Sequence, residues 1–356
     1  MPLVMTGDRV PPRWAEKKGA SLCSGSFCGD ASDGLRIALI NNMPDPALED
    51  TEVQFFDLLD EAAGELPVFV TMFSLNEVIR GERARAHIAG HYSPISKLLG
   101  AKFDGAIITG TEPKHRNMRD EPYWRSLTQV FDWAETGTTS TILSCLAAHA
   151  SVLHSDNIER NPLGDKQFGV FEFKRNAEHP LLAGTAAPAR FPHSRWNEVR
   201  DYALVARGYE ILDKSPDAGV NLFVKRKQRS LFVHFQGHPE YFTRTLLKEY
   251  RRDVRRYLTH ERETYPTEPR GYFDTEASKL LNEFRKNAEA NRQEDLIDIF
   301  PEAAVGETLQ NTWHEGAVGI YRNWLDILSL GKASHISTAP SATNTASASS
   351  SAPLSL

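Results

Sequence analysis

Apolar positions along the chain follow two alternating rhythms. "LRIALINNMP" (35–44) is a short unbroken β-rich run. The "DPALEDTEVQFFDLLDEA" after it carries Leu48, Val53, Phe56 and Leu59 at helical spacing, with acidic residues early, where the helix dipole favours them. The pairing recurs. "LPVFVTMFSL" (66–75) and "FDGAIITGTEP" (103–113) read as strands, and "PYWRSLTQVFDWAETG" (122–137) as a helix closed by Gly137. "TTSTILS" (138–144) is then a fourth strand and "CLAAHASVLH" (145–154) its helix. Successive strand–helix units predict an α/β fold with a mostly parallel sheet and ligands beyond the carboxyl ends of its strands. Cys145 falls at such an end.

Past that helix the rhythm changes to strands with few helices: "FGVFEFK", "ARFPHSRWNEV", "YEILDKS" and "VNLFVKRKQRSLFVHFQGHPEY". The last predicts a hairpin turning at Lys225 to Arg229, so this part is expected to be antiparallel. "RTLLKEYRRDVRRYL", a charged stretch from Ser278 to Arg292 and "NTWHEGAVGIYRNWLDILSL" read as helices, the last packing back on the body. Residues 1–34 and the Ser/Thr/Ala/Pro-rich 333–356 offer little to bury and are expected to be disordered tails around one domain, 35–332.

Composition narrows the function classes. The chain has 356 residues, 40% of them hydrophobic, enough for a full core. A formal charge of -6 leaves no basic excess for nucleic acid, and the Lys248–Arg256 cluster, interleaved with carboxylates and apolar residues, reads as a solvated helix face. No apolar run is long enough to span a membrane, and the N-terminus lacks the apolar core of a secretory signal. Three cysteines make no disulfide framework, so a reducing, cytoplasmic setting is expected. No metal-ligand spacing or glycine-rich phosphate loop is present, and no metal or cofactor is expected.

Taken alone, Cys145 reads as a small buried apolar residue. At a strand-to-helix junction, however, the free N–H groups of the helix start would favour a thiolate and hold an oxyanion, and Ala147, Ala148 and Ala150 are small enough for tight packing there. "HFQGHPEY" supplies what such a nucleophile needs. His238 can accept and return a proton, and Glu240, two residues on in an extended segment, can orient it across the backbone fixed by Pro239. "FPHSRW" adds His193, Ser194 and Arg195, with Arg195 suited to a carboxylate or phosphate, although an ordinary loop explains it slightly better.

A strand-end cysteine followed by His-Pro-Glu at another strand end resembles the class I glutamine amidotransferase-like fold. Within that group the chain is most similar to the homoserine O-acyltransferases, through "IALINNMP", "FDGAIITG", "LSCLAAHA", "KQFGVFEF", "PHSRW", "GHPEY", "EYRRDV" and "NWLDIL". The resemblance implies a flavodoxin-like sandwich: a mostly parallel central sheet, helices on both faces, and a smaller antiparallel region. It implies Cys145 as acyl-accepting nucleophile, His238 as base and acid, and Glu240 as its partner. Lys166, Ser194 and Arg252 would be pocket residues, with Arg252 holding the amino-acid carboxylate, and N–H groups at Leu146 and near Gly110 and Thr111 would form the oxyanion hole. "GTEPKH" stands where the family has a Gly-Ala-Pro turn that selects the acyl group. An ungapped match puts Lys114 at the selecting position, suited to a succinyl carboxylate, and a one-residue insertion puts His115 there.

The expected activity is transfer of a succinyl or acetyl group from succinyl-CoA or acetyl-CoA, as co-substrate, to L-homoserine or a related hydroxy amino acid such as serine. The route would be ping-pong through an acyl-cysteine, in a homodimer. Glutamine amide hydrolysis shares the Cys and His-Pro-Glu elements but normally brackets its cysteine with glycines, and "LSCLA" has none. A non-catalytic binding relative is disfavoured because Cys145, His238 and Glu240 are all present.

Overall fold

In the computed structural model, which describes residues 3–5, 13–14 and 34–337, the strand–helix rhythm of the first half is laid out as read. The chain runs β1 (Leu3–Met5), β2 (Leu35–Ile40), α1 (Asp45–Ala63), β3 (Val68–Phe73), α2 (Glu82–His91), α3 (Ile95–Leu99), β4 (Gly105–Ile108), α4 (Trp124–Gly137), β5 (Ser140–Ser144) and α5 (Leu146–Asp156). It continues through β6 (Asn161–Arg175), β7 (Ala189–Glu198), α6 (Asp201–Val205), β8 (Glu210–Ile211), β9 (Asp213–Ser215), β10 (Gly219–Val220), β11 (Leu222–Lys227) and β12 (Ser230–Phe235). Four helices close it: α7 (Thr245–Leu258), α8 (Thr275–Ala290), α9 (Glu302–Glu307) and α10 (His314–Ser337).

The central sheet has the order β1-β3-β2-β4-β5-β12-β11-β8, parallel from β1 through β12 and antiparallel at β12–β11 and β11–β8. Its strands are apolar on both sides because both sides are covered. Ile37, Leu39 and Ile107 join the core on the α1 and α10 side, while Ala38, Ile40, Ala106 and Ile108 join the core beneath α4 and α5. Helices therefore lie on both faces, and the α/β class with its mostly parallel sheet is as expected. The smaller sheet, β10-β9-β6-β7, is antiparallel throughout.

Three departures are informative. The Lys225–Arg229 hairpin is antiparallel, but its second arm, β12, enters the main sheet beside β5. Gly137 does not end α4 through a left-handed turn: it is the last helical residue, and a Cβ there would lie 2.6 Å from the Trp133 indole nitrogen. Parts of the two expected tails are structured. Leu3–Met5 pairs with β3, Trp14 is buried against Phe56, and α10 continues to Ser337; the remainder of both tails lies outside the described residues.

The terminal helix packs on the body as predicted. Gly105 leaves room for Trp324 and Leu328, which a Cβ would approach to 2.8 and 2.6 Å, and the Trp324 indole donates to Ser140 Oγ at 3.0 Å. Truncating Trp324 to alanine is expected to cost about 3–5 kcal/mol. Among the described residues no helix is long and apolar enough to cross a membrane, and no His/Cys/Asp/Glu group could hold a metal ion.

Candidate active site

β5 and β12 are neighbours in register, with Ser144 opposite Phe235, so the residues that follow each strand emerge side by side. Cys145 leaves β5 with φ 51° and ψ -108°, an unfavourable region for a side chain bearing Cβ, and its N–H donates to Phe235 O at 2.8 Å. The next residue starts α5. Such a turn raises the thiol over the unpaired N–H groups of the helix start. Gly110, after β4, comes so close that a Cβ would lie 2.7 Å from Leu146 Cβ and 3.0 Å from Leu146 N. Thr111 follows it, half-buried.

From β12 the chain turns through Gly237, held by Asn221 Oδ1 at 3.1 Å, and His238 donates its N–H to Pro192 O at 2.9 Å. No side chain fits at Gly237, because a Cβ would meet Asn221 Oδ1 and His193 Nε2, both at 2.7 Å. His238 Nδ1 lies 2.8 Å from Glu240 Oε1, which also accepts from Ser144 Oγ at 3.3 Å. Burial pulls the imidazole pKa down, but the charges of Cys145 and Glu240, with side-chain hydrogen bonds to both, outweigh it and hold His238 well above its usual value. Cys145 and Glu240 thus both interact with His238.

Beyond these three residues lies a second cluster, reached through Tyr241. Its ring stacks on His238 with centroids 4.2 Å apart, and its hydroxyl donates to Glu249 Oε1 at 2.7 Å. The other Glu249 oxygen accepts from Ser194 Oγ at 2.5 Å and lies 3.5 Å from Lys166 Nζ. Lys166 also reaches Asp253 Oδ2 at 3.0 Å, and Arg252 contacts Asp253 Oδ1 through Nε and Nη2. Desolvation raises the pKa of Asp253, but Lys166 and Arg252 together outweigh it and hold the carboxyl below its usual range. Arg252 remains half exposed.

The structure therefore brings Lys166, Ser194 and Arg252 together, but around Glu249 and Asp253, which the sequence reading left on a solvated helix face. The overlooked signal was their spacing: four residues apart on α7, both point the same way. Tyr250, Asp253 and Val254 are buried, so α7 is solvated on one side only. Arg195 is not a ligand-facing arginine. It is 4% exposed, with its donors committed to His193 Nδ1, Asn197 O and Ala218 O. His193 is wholly buried and stacked on Phe173; burial first, then the nearby Arg195 charge, hold it neutral. Of the trio in "PHSRW", only Ser194 reaches the site. Lys114 and His115 are exposed, and each donates its backbone N–H to Glu121 Oε1 at 2.6 Å.

Comparisons with known proteins bear on the family. A family model described as homoserine O-succinyltransferase covers residues 29–333. A homoserine O-succinyltransferase of Methylorubrum extorquens is 46% identical over 83% of this chain and 87% of its own length. One from Bradyrhizobium japonicum is 44% identical over 83% and 91%. A glutamine amidotransferase structure from Methylobacillus flagellatus aligns with 83% of this chain and 95% of its own, at 15% identity and a TM-score of 0.45. With a family model spanning nearly all the described residues and relatives above 40% identity over most of their length, this chain belongs to the homoserine O-succinyltransferase family and is an O-acyltransferase.

Proposed function

We propose that the protein transfers a succinyl group from succinyl-CoA to the hydroxyl of L-homoserine through an acyl-Cys145 intermediate. The observation that carries this reading is the joining of two sites by Tyr241: a Cys–His–Glu triad, and a cluster of mixed charge suited to a free amino acid. The substrate identities come from the named activity of the relatives.

The Cys145 thiolate attacks the thioester carbonyl, and the N–H groups of Leu146 and the Gly110–Thr111 segment receive the oxyanion. As the C–S bond to CoA breaks, the His238 imidazolium returns a proton to the departing thiolate. Homoserine then enters with its carboxylate toward Arg252 and its ammonium toward Glu249. His238, now neutral, takes the hydroxyl proton as the alkoxide attacks the acyl-cysteine. Collapse expels the Cys145 thiolate and leaves the proton on His238, restoring the starting pair. Glu240 orients the imidazole throughout and stabilises its charged form.

The test incubates purified protein with succinyl-CoA or acetyl-CoA and a panel of hydroxy amino acids, following free CoA and the mass of Cys145-containing peptides. Acceptor-dependent CoA release, with acyl mass on Cys145 when acceptor is omitted, is the expected result. No acceptor-dependent release with any pair, or full activity in Cys145→Ala, overturns the proposal, and ammonia release from glutamine would assign the site to amide hydrolysis.

A further inference from the structure

The loop after β4 passes the nucleophile and is pinned from two sides. Glu121 Oε1 accepts the N–H groups of Lys114 and His115. From the other side Arg160, which follows α5, donates through Nη2 to Arg116 O at 3.1 Å and His115 O at 3.3 Å. These bonds occupy one nitrogen of the guanidinium. Among the described residues, its Nε and Nη1 make no hydrogen bond and no carboxylate forms an ion pair with it, although the side chain is half-buried.

The Tyr123 side chain interacts electrostatically with Arg160, and among the described residues its buried hydroxyl has no hydrogen-bond partner. Buried polar groups are nearly always satisfied, so a half-buried guanidinium with two free nitrogens and no direct ion pair, beside an orphaned hydroxyl, is an incomplete anion site. Burial lowers the Arg160 pKa, while the charges of Glu121, Cys145 and Glu159 act in the opposite sense, so the guanidinium interacts with both the loop carboxylate and the nucleophile.

We propose that Arg160, aided by the Tyr123 hydroxyl, binds the terminal carboxylate of a dicarboxylic acyl group whose other end is carried on Cys145. This rests on the acyl-transfer reading above and deepens it by naming the residue that recognises the donor. The other anions of the reaction fit less well. The acceptor carboxylate has Arg252 in the opposite cluster, and the phosphates of CoA lie a whole pantetheine arm away from the thioester carbon. Lys114 contributes through its backbone, since its N–H is bonded to Glu121 and its side chain is exposed. A planar guanidinium with free Nε and Nη1 suits a carboxylate, which it can hold through two parallel hydrogen bonds.

The test compares succinyl-CoA, acetyl-CoA and butyryl-CoA, the last matching succinyl in length without its carboxylate, at saturating acceptor. In Arg160→Leu, kcat/KM for succinyl-CoA is expected to fall roughly 100-fold while that for butyryl-CoA stays within about threefold. Arg160→Lys should recover part of the loss, because a point charge replaces the fork. Tyr123→Phe, which removes one oxygen, should give a smaller loss confined to succinyl-CoA and carries the same comparison if Arg160→Leu fails to fold. Equal losses on all three donors would assign Arg160 to loop structure alone and overturn the proposal, as would an unchanged rate with succinyl-CoA. A wild-type protein that releases CoA from no donor would instead remove the acyl-transfer reading, a result distinct from a donor-blind Arg160 variant.

Discussion

The two halves of the site are held in place by different means. The nucleophile half is positioned by backbone: a strained turn at Cys145, the Gly110 contact with Leu146, and the side-chain-free Gly237 that aims His238. The amino-acid half is positioned by charges, with Lys166 from β6, Ser194 from β7, Arg252 from α7 and Tyr241 from the turn after β12 arranged around Glu249 and Asp253. Backbone placement fixes reacting atoms to within tenths of an ångström. A charge cluster is softer, and it can exchange an internal ion pair for one with a ligand. Chemistry and recognition should therefore fail differently when each is damaged.

The sharpest break comes from Cys145→Ala, which should lower acyl transfer by at least roughly 1,000-fold while leaving the melting transition nearly unchanged. The same variant removes the largest charge holding up the His238 pKa, so an NMR titration of His238 should show a lower value than in the wild type. Gly110→Val attacks the backbone half while leaving the Cys145, His238 and Glu240 side chains in place. Because its Cβ would overlap Leu146, kcat is expected to fall roughly 100-fold with little change in KM for the acceptor. Glu249→Gln should show the reverse split, an acceptor KM raised roughly 10- to 30-fold with kcat changed far less, because it weakens the cluster and spares the triad. A kcat-dominated loss in Glu249→Gln would erase the distinction between the halves.

A smaller effect tests the link between them. His238 is raised above its ordinary value, so it gives up its proton later as pH rises. Removing a charge that raises it must bring that loss to lower pH. Glu240→Gln should therefore move the alkaline limb of the acylation pH profile down by about one unit, and an upward shift would contradict the assigned role. The smallest effect belongs to the outer side of α7. Lys248→Ala removes an exposed pair with Asp50, 2.8 Å apart, and should change unfolding free energy by less than about 1 kcal/mol.

Much of this was legible in the sequence for identifiable reasons. The parallel sheet was readable because a strand buried on both faces must be apolar along its length, as in "LRIALI", and each such run is followed by a turn and an amphipathic helix. Cys145 and His238 were readable because strand ends are where such folds expose side chains. The helix α2 went unread because only Ala84 among its residues is buried, leaving almost no apolar stripe. Arg195 and Ser194 were adjacent and equally polar in sequence. Alternation along β7 sent the arginine to buried carbonyls and the serine to the site.

The sequence by itself determined the elements, their class and the chemical types at the strand ends, because hydrophobic periodicity and turn residues act over a few neighbours. Only the tertiary structure decided which ends meet. β12 keeps the antiparallel β11 on one edge; its pairing with β5 on the other puts His238 beside Cys145, 93 positions away in the sequence. Glu249, Asp253 and Arg160 likewise gained their meaning from partners far along the chain. A charged side chain has no fixed role until burial strips its water and leaves a particular counter-ion, or the lack of one, within reach.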